Sequence, residues 1–404
     1  MLSYTDARQK VIEVVRARGP LTAVESLPLD RVAGRILAEA VVADRDYPPF
    51  DRATRDGFAL RSSDVATSRG PMEVRGEIRA GAVFTGEITP GTCAQIMTGA
   101  AVPRGADAVV MIEHTRIAGR SVFVEGSVTA GQNIVPKGRE AKAGQQLLPG
   151  GTRLGYAELA ITGQVGHTPA RVFRCPQVAL LSTGDEVVGI GAKPGPVEIR
   201  NSNCLSLAAQ VALAGGEAVP LGNSPDRVLE LRAMIEQGLK SDVLVVTGGV
   251  SMGKYDLVEG VLRDLGAEFF FDAVAIRPGR PAVFGYCQGK PVFGLPGNPV
   301  STMVTFELFA APAIEIVGGA TPRPLPLFKA KLGAPVQQKA ELTHFLPAAV
   351  SWTTGEAVVS VLPWQGSGDI VVLAQSNAFL VVPATKLEWA AGEWVDVMPR
   401  RGVL

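Results

Sequence analysis

The feature that most constrains the fold is an alternation of strand-like and helix-like segments between about residues 173 and 321. Apolar strand-like runs alternate with amphipathic helical patterns that are closed by glycines. Alternation of this length predicts a parallel, doubly wound sheet with helices on both faces. The strands are expected at 178–182, 218–221, 243–247, 282–285 and 291–295, and the helices at 205–214, 226–237, 256–265 and 301–317.

The flanking segments follow other patterns. Residues 3–18 have a helical pattern that ends at Gly19 and Pro20, and residues 144–170 are helical again. Between 71 and 135 the chain has short β-like runs at 72–78, 93–97, 108–112 and 121–125, and after the proline-rich break at 321–327 it has β-like runs at 358–362, 370–373 and 380–382. The sequence therefore predicts a multi-domain α/β and β protein with a separate C-terminal β domain.

Composition excludes several classes of protein. The 404 residues carry 39 Lys+Arg and 39 Asp+Glu, which argues against a general polyanion binder, so no nucleic-acid partner is expected. The three histidines make His-based metal sites improbable, and the four widely spaced cysteines fit a reducing cytoplasm. No stretch approaches 18 uninterrupted apolar residues, so we expect a cytoplasmic protein without a membrane span.

Three polar, glycine-rich loops follow predicted strands of the α/β segment. They are Ser182-Thr183-Gly184-Asp185-Glu186, Thr247 to Gly253 with Asp256 shortly after, and Leu295 to Ser301. Ligands of open α/β sheets bind at the carboxyl ends of strands, and glycines let backbone N–H groups approach an anion. The alternative is that each loop is only a tight turn.

The segment Arg277-Pro278-Gly279-Arg280-Pro281 separates the second and third loops. Two guanidiniums on a stiff Pro-Gly turn can hold an oxyanion in a fork, which predicts an anion clamp. Two solvated surface arginines are an equally good interpretation.

Carboxylates accompany the loops. Asp185, Glu186 and Asp256 are hard oxygen ligands beside phosphate-like loops, a combination that suits Mg²⁺. Capping and turn roles are the alternative, above all for Asp185. The sequence contains no Walker A or GxGxxG motif, so ordinary nucleotide-binding interpretations are weak.

Together with two N-terminal segments, these motifs resemble the MoeA family of molybdopterin molybdenumtransferases, whose eukaryotic counterpart is the E domain of gephyrin. The resemblance covers essentially the whole chain in order. It is carried by Pro48 to Asp51 and Asp56 to Ala59; Ile96 to Ala100, Pro103 and Gly105 to Val110; Ser182 to Glu186; Thr247 to Gly253 with Asp256; Arg277 to Pro281; and Leu295 to Ser301 with Phe306 and Glu307.

The resemblance implies four domains. These are a helical linker domain (1–45 and 140–172), an inserted β-rich domain (46–139), a MogA-like α/β molybdopterin-binding domain (173–321) and a C-terminal β-barrel-like domain (322–404). It also implies a homodimer with an active cleft shared between subunits, and transient contacts with other proteins of molybdenum cofactor biosynthesis. The implied reaction inserts molybdate into adenylylated molybdopterin, with release of AMP and help from Mg²⁺.

The resemblance also implies roles for individual residues. Asp56 and Thr98, from the partner subunit, together with Glu186 and Asp256, would be catalytic, and Glu186 and Asp256 would also hold the metal. Arg277, Arg280, Ser301 and Ser367 would bind molybdate. The remaining substrate-binding residues would be Ser182, Thr183, Gly184, Gly248, Gly249, Ser251, Pro296 and Asn298.

Several positions depart from the family pattern. Arg277 and Arg280 stand where lysines are usual, and Leu342 where an arginine is common. Asn223 replaces an acidic residue, Gly138-Arg139-Glu140 replaces a Gly-Glu-Asp motif, and Arg55 stands where Met is frequent. These departures bear more on the metal and anion sites than on the fold.

Three alternatives stay open. One is a tungstate-specific paralogue of the same class, and another is an adenylyltransferase like MogA, against which the extra domains argue. The third is a catalytically weak copy kept as a scaffold or binding protein, which the intact Ser251, Asp256, Asn298 and Ser301 disfavour.

Overall fold

The fold is described from a computed structural model, for residues 1–21, 23–67, 70–249, 257–338, 341–353 and 355–403. The chain forms two compact units. The larger unit comprises Met1–Ala38, Gly151–Gly155 and Ala170–Leu404, and the smaller unit comprises Glu39–Gly150 and Tyr156–Pro169.

A six-stranded sheet forms the centre of the larger unit. Its strands lie in the order Glu217–Ser224, Gln177–Thr183, Val243–Thr247, Lys290–Leu295, Val283–Cys287 and Glu268–Phe271. The first four strands are parallel, but the last two are antiparallel to their neighbours. The prediction of a wholly parallel sheet is therefore wrong at this edge. Val283–Cys287 and Lys290–Leu295 are joined by a two-residue turn too short for a crossover helix, so they can pair only as a hairpin.

Helices cover both faces of this sheet, as the alternation predicts. Helices Tyr4–Arg18, Ser202–Ala214 and the long helix over 299–317 share one core with the sheet. Helices Val228–Gly238 and Val258–Asp264 share the core on the other face.

The long helix has an irregular centre. Its segments are α-helix Pro299–Thr305, π-helical Phe306–Ala310 and α-helix Ala311–Val317. It is long and apolar enough to cross a membrane by length and composition, but 94% of its most apolar window is buried inside the fold. Burial of this kind is the mark of a core helix.

The C-terminal part of the larger unit is a closed five-stranded barrel, in agreement with the predicted β domain. Its strands are Thr343–Thr353, Glu356–Val361, Phe328–Leu332, Trp394–Pro399 and Ala378–Val382, and the last pairs back to the first. Ile276–Arg277 adds to Thr343–Thr353 in parallel, so the clamp segment is part of the barrel's sheet.

One predicted β-like run in this part is a helix. The apolar run at 370–373 lies in helix Ile370–Gln375, because the Asp369 side chain caps it by accepting a hydrogen bond from the Val372 N–H.

Short elements complete the larger unit. They are the strand pairs Val24–Leu27 with Ala170–Phe173, Val187–Val188 with Ile199–Arg200 and Val336–Gln337 with Glu388–Trp389, and the 3₁₀ turn Leu29–Arg31.

The smaller unit is built on a second six-stranded sheet. Its strand order is Ala108–Met111, Gly57–Leu60, Thr92–Ile96, Met72–Ile78, Ser121–Val124 and Thr115–Ala118. Four of these strands match the predicted β-like runs. The other elements are the pairs Ile134–Val135 with Arg52–Ala53 and Gln146–Leu148 with Val41–Val42, the helices Ser62–Thr67 and Tyr156–Gln164, and the 3₁₀ turn Ile112–His114.

Candidate active site

The three predicted loops converge at the carboxyl ends of the parallel strands. A Cβ at Gly248 would lie 2.8 Å from the Thr183 carbonyl oxygen, and one at Gly249 would lie 3.0 Å from the Thr183 hydroxyl. A Cβ at Gly297 would lie 3.5 Å from the Gly248 Cα. Gly248 and Gly249 also have positive φ angles. Glycine is therefore required where the second loop meets the first.

Buried side chains tie these strand ends together. The Thr247 hydroxyl donates to the Ser182 hydroxyl (3.3 Å), which donates to the Asn201 side-chain oxygen (3.1 Å). The Asn203 side-chain nitrogen donates to the Gly297 carbonyl (2.7 Å). The start of helix Ser202–Ala214 is thereby fixed beside the loops.

The first cavity at this edge has a volume of about 370 Å³. Two of its lining residues, Thr183 and Asn203, are at most 9% exposed, and the buried side-chain oxygens Oγ1 and Oδ1 of these residues have no hydrogen-bond partner among the residues that the structure describes. Such groups are costly unless a ligand satisfies them. The lining residues are Ser182, Thr183, Gly184, Glu186, Val187, Ile199, Arg200, Asn201, Ser202, Asn203, Asp226, Thr247, Gly248, Gly249, Gly297, Asn298 and Pro299.

Glu186 is the predicted acidic residue that lies in this cavity. Its carboxylate folds back over Gly184, where an added Cβ would lie 2.6 Å from Glu186 Oε2. Asp226 is a second lining carboxylate, which was not predicted as a site residue. Asp185 Oδ1 accepts from the Asp226 N–H (3.2 Å), which is the turn role expected of it as the alternative.

Asn223 anchors the first loop. Its side-chain nitrogen donates to the Gly184 carbonyl (2.8 Å) and to the Val187 carbonyl (3.1 Å). A carboxylate has no hydrogen to donate, so an acidic residue could not make these two bonds. Asn223 at this position thus supports the first loop. The carboxylate that lines the cavity in this part of the chain is Asp226.

The donor set is made of oxygens. Two carboxylates and two unpartnered oxygens suit a hard cation that keeps waters and substrate oxygens in its shell. Within the described part of the chain, no group of three or more His, Cys, Asp and Glu side chains is placed to hold a metal ion without such help. Ser251 and Asp256 lie outside the described residues, so their predicted roles stay predictions.

The second cavity has a volume of about 570 Å³ and contains the predicted clamp. Arg277 and Arg280 are exposed, and neither forms an ion pair with any residue that the structure describes. Gly279, at φ +105°, packs so tightly on the long helix that a Cβ would lie 2.5 Å from Thr305 Cγ2. The turn is therefore fixed against the helix that begins beside the first cavity, while its guanidiniums remain free.

Two serines complete the clamp cavity. Ser301 is 4% exposed on the long helix. The Asn298 side-chain nitrogen donates to the Ser367 hydroxyl (2.9 Å), and the Val300 N–H donates to the Ser367 carbonyl (3.0 Å). The complete lining is Ile276, Arg277, Pro278, Gly279, Arg280, Pro281, Pro296, Asn298, Ser301, Leu342, Trp364, Gln365, Gly366, Ser367 and Gly368.

Asn298 lines both cavities, so they adjoin at the third loop. Leu342 and Trp364 form an apolar wall of the second cavity, and Trp364 was not predicted from the sequence. Arg200 and Asn201, in the first cavity, were missed as well, although the Asn-Ser-Asn run before a helix was a capping signal that would have pointed to them.

The charge of the clamp affects the pKa of a neighbouring histidine. His344 is 8% exposed and pairs in register with Arg277. Burial lowers the pKa of His344, and the Arg277 charge lowers it further.

In the smaller unit, the structure brings together the two predicted residues Asp56 and Thr98. The Thr98 N–H donates to Asp56 Oδ1 at 2.6 Å, and both residues are exposed. This hydrogen bond, with a second one from the Thr98 side chain, lowers the pKa of Asp56. Asp56 is therefore held as a carboxylate at an exposed turn, ready for a cation or a donor.

Comparison with known protein families gives three matches that together cover most of the chain. Residues 2–166 match the MoeA N-terminal region (domain I and II), residues 179–316 a probable molybdopterin binding domain, and residues 329–399 the MoeA C-terminal region (domain IV).

Individual relatives span nearly the full length. The molybdopterin molybdenumtransferase of Bacillus subtilis is 34% identical over 93% of this chain and 89% of its own, and that of Synechocystis is 32% identical over 95% and 96%. The crystal structure of the molybdopterin biosynthesis moeA protein from Pyrococcus horikoshii OT3 has a TM-score of 0.84 at 28% identity, over 99% of this chain and 100% of that one. The predicted fold class is confirmed, and the chain belongs to the MoeA family.

Proposed function

We propose that the protein is a molybdopterin molybdenumtransferase, which inserts molybdate into adenylylated molybdopterin and releases AMP with help from Mg²⁺. The observation that carries the proposal is the pair of adjoining cavities that share Asn298. One is surrounded by loops of the kind that hold phosphates, and the other presents two unpaired guanidiniums. A phosphate-linked pterin and a small tetrahedral oxyanion are the ligands that such a pair suits.

The clamp cavity is the proposed molybdate site. Arg277 and Arg280 would supply the charge that holds a dianion, and Ser301 and Ser367 would donate hydrogen bonds to its oxygens. Since neither arginine has a carboxylate partner among the described residues, binding the anion breaks no existing ion pair.

The first cavity is the proposed site of the phosphate and adenylate. Its glycines allow close backbone approach, and Thr183 and Asn203 offer polar atoms that have no partner within the described part of the chain. Glu186 and Asp226, with Asp256 by family resemblance, would hold Mg²⁺. The bound ion would neutralise phosphate charge during cleavage of the phosphoanhydride. No side-chain nucleophile is then needed.

Asp56 and Thr98 are proposed to complete the cleft from the partner subunit of a homodimer. The hydrogen bond between them already orients the Asp56 carboxylate, and both residues are exposed in the single chain. Mixing Asp56→Ala and Arg280→Ala chains tests this: heterodimers should regain activity at one cleft if the two residues act in trans.

The first experiment is AMP release from adenylylated molybdopterin with no anion, with molybdate and with tungstate. Molybdate-dependent release supports the proposal. Arg280→Gln should raise the molybdate concentration for half-maximal release, while Arg120→Gln, the same change on an exposed turn, should not. Glu186→Gln should raise the Mg²⁺ requirement.

Two outcomes would contradict the assignment. Release with tungstate alone would make the protein a tungstate-specific paralogue. No release with either anion from folded protein would refute the enzyme assignment and leave the scaffold alternative.

A further inference from the structure

A second cluster of arginines surrounds a cavity at the opposite edge of the α/β sheet. This cavity has a volume of about 410 Å³ and is lined by Arg35, Arg153, Arg174 and Arg323, with Cys175 beside them. No Asp or Glu of the described residues lines it.

The cavity is remote from the candidate active site. Pro176 and Gly216, which line it, directly precede strands Gln177–Thr183 and Glu217–Ser224. The first cavity lies at the other ends of these strands. A seven-residue strand spans roughly 20 Å, so the two sites are separated by about that distance.

The carboxylates behind the cavity do not neutralise its cations. Glu25 pairs with Arg35, Asp242 pairs with Arg174 and is shared with Lys290, and Glu315 pairs with Arg323 and is shared with Arg401. With Glu307, the second partner of Arg401, four carboxylates pair with five cations, and Arg153 is a sixth cation in the cluster. Arg8 donates to the Arg323 carbonyl and lies near Glu307 and Glu315, so it is a seventh cation and the surplus is about three positive charges.

Arg153 is the cation lining the cavity that has no carboxylate partner among the described residues. Its Nη1 donates to the Gly34 carbonyl (2.9 Å), and its guanidinium lies against Gly215, where an added Cβ would be 3.1 Å from Nη1. Burial lowers the pKa of Arg153, and the nearby Arg323 adds to this effect. A guanidinium nevertheless stays protonated, so its charge needs an anion.

We propose that this cavity binds an oxyanion of the phosphate class, either inorganic phosphate or the phosphate group of a monoester, and that Arg153 is its principal ligand. A phosphate carries close to two negative charges at neutral pH, which offsets most of the surplus, and its oxygens suit the planar fork of a guanidinium. The site is independent of the proposed enzymatic function, because it uses none of the residues assigned to either active-site cavity.

The half-buried Cys175 provides a local readout. The full chain carrying Arg277→Gln and Arg280→Gln, which removes the other anion clamp, is alkylated with iodoacetamide, and the Cys175 peptide is quantified by mass spectrometry. Inorganic phosphate and glycerol phosphate are titrated at constant ionic strength against potassium chloride. We expect saturable protection of Cys175 from alkylation by phosphate and none by chloride. The compound that protects at the lower concentration, inorganic phosphate or glycerol phosphate, shows whether the site prefers the free anion or a monoester.

Arg153 variants in the same background assign the ligand. Arg153→Gln should raise the half-protecting concentration at least about tenfold, whereas Arg153→Lys should raise it less and Arg120→Gln should leave it unchanged. Equal protection in Arg153→Gln and Arg153→Lys would overturn the proposal. The proposal would also be overturned if Cys175 did not react in the absence of phosphate, or if phosphate did not change its alkylation. The comparison of phosphate with chloride in the chain that keeps Arg153 decides the question even if Arg153→Gln does not fold.

Discussion

Two glutamates of the long core helix are held by Arg401, and loss of this arginine should destabilise the protein strongly. Arg401 contacts Glu307 Oε1 at 2.7 Å through Nη2 and Glu315 Oε1 at 2.9 Å through Nη1. The exposed fractions of the side chains are 14% for Arg401, 8% for Glu307 and 1% for Glu315. This arrangement joins the C-terminal segment to the core of the α/β domain.

The magnitude follows from what Arg401→Met leaves behind. Glu315 keeps Arg323 as an ion-pair partner, but Glu307 has no other among the described residues. A buried charge that loses its partner costs about 3–5 kcal/mol, because the charge stays desolvated without compensation. We therefore expect Arg401→Met to lower the free energy of unfolding by about 3–5 kcal/mol. Adding Glu307→Gln removes the stranded charge and should restore part of the loss.

Urea unfolding at pH 7, followed by circular dichroism, measures both variants. Burial opposes ionisation of Glu315, but hydrogen bonds from Arg323 and Arg401 and their charges outweigh it and lower the pKa of Glu315. The stability that this carboxylate contributes is thus present above its unfolded pKa and lost as pH falls through the folded value. A loss below about 1 kcal/mol in Arg401→Met, or no recovery in the double variant, would refute the role given to this network.

Three further predictions concern single residues. Gly57→Ala places a Cβ 1.8 Å from a carbonyl oxygen of the adjacent strand and should prevent stable folding of the smaller unit. Gly260→Ala, in an exposed helical position with open space, should instead raise the free energy of unfolding in urea by about 0.5–1 kcal/mol. Asp369→Ala removes the cap that shapes the Ser367 loop, so it should cost about 0.5–2 kcal/mol and raise the molybdate concentration needed for AMP release, with Asp369→Asn closer to wild type. The pKa of His344 is lowered in the folded protein, so its protonation favours the unfolded chain. The Tm should therefore fall as pH drops through about 6.5, the ordinary pKa of histidine, and the fall should be smaller in His344→Gln.

The convergence of the three loops could be predicted from the sequence because each loop follows a parallel strand. Parallel strands bring their carboxyl ends to one edge, so chain order alone places Thr183, Gly248 and Asn298 together. The clamp was predicted for a different reason. Its Pro-Gly turn limits the conformations of two cations, and Arg277 and Arg280 line one cavity in the structure.

Two features of the structure were not predicted from the sequence, for different physical reasons. Asp226 looked like an ordinary helix-start residue, and only the pairing of the preceding strand Glu217–Ser224 with Gln177–Thr183 brings it into the same cavity as Glu186. The helix at Ile370–Gln375 has a run of β-branched residues, and a local cap at Asp369 outweighs their strand preference. The first depends on pairing between distant segments, whereas the second depends on a capping residue that stands directly before the apolar run.

The departures from the family pattern show which positions of the site are constrained by backbone geometry and which only by charge. The glycines at 184, 248 and 279 have φ angles of +130°, +85° and +105°, which other residues rarely adopt, and a Cβ at 248 or 279 would also strike a carbonyl oxygen or the long helix. The clamp cations are exposed, and any cation that reaches the cavity can satisfy a dianion, so arginine in place of lysine keeps the charge while changing the donor geometry. Leu342, which lines the same cavity, adds no charge at all. Molybdate and tungstate have the same charge and shape, so the choice between them rests on small differences in how these donors are placed, and for that reason the anion titration is the experiment that decides it.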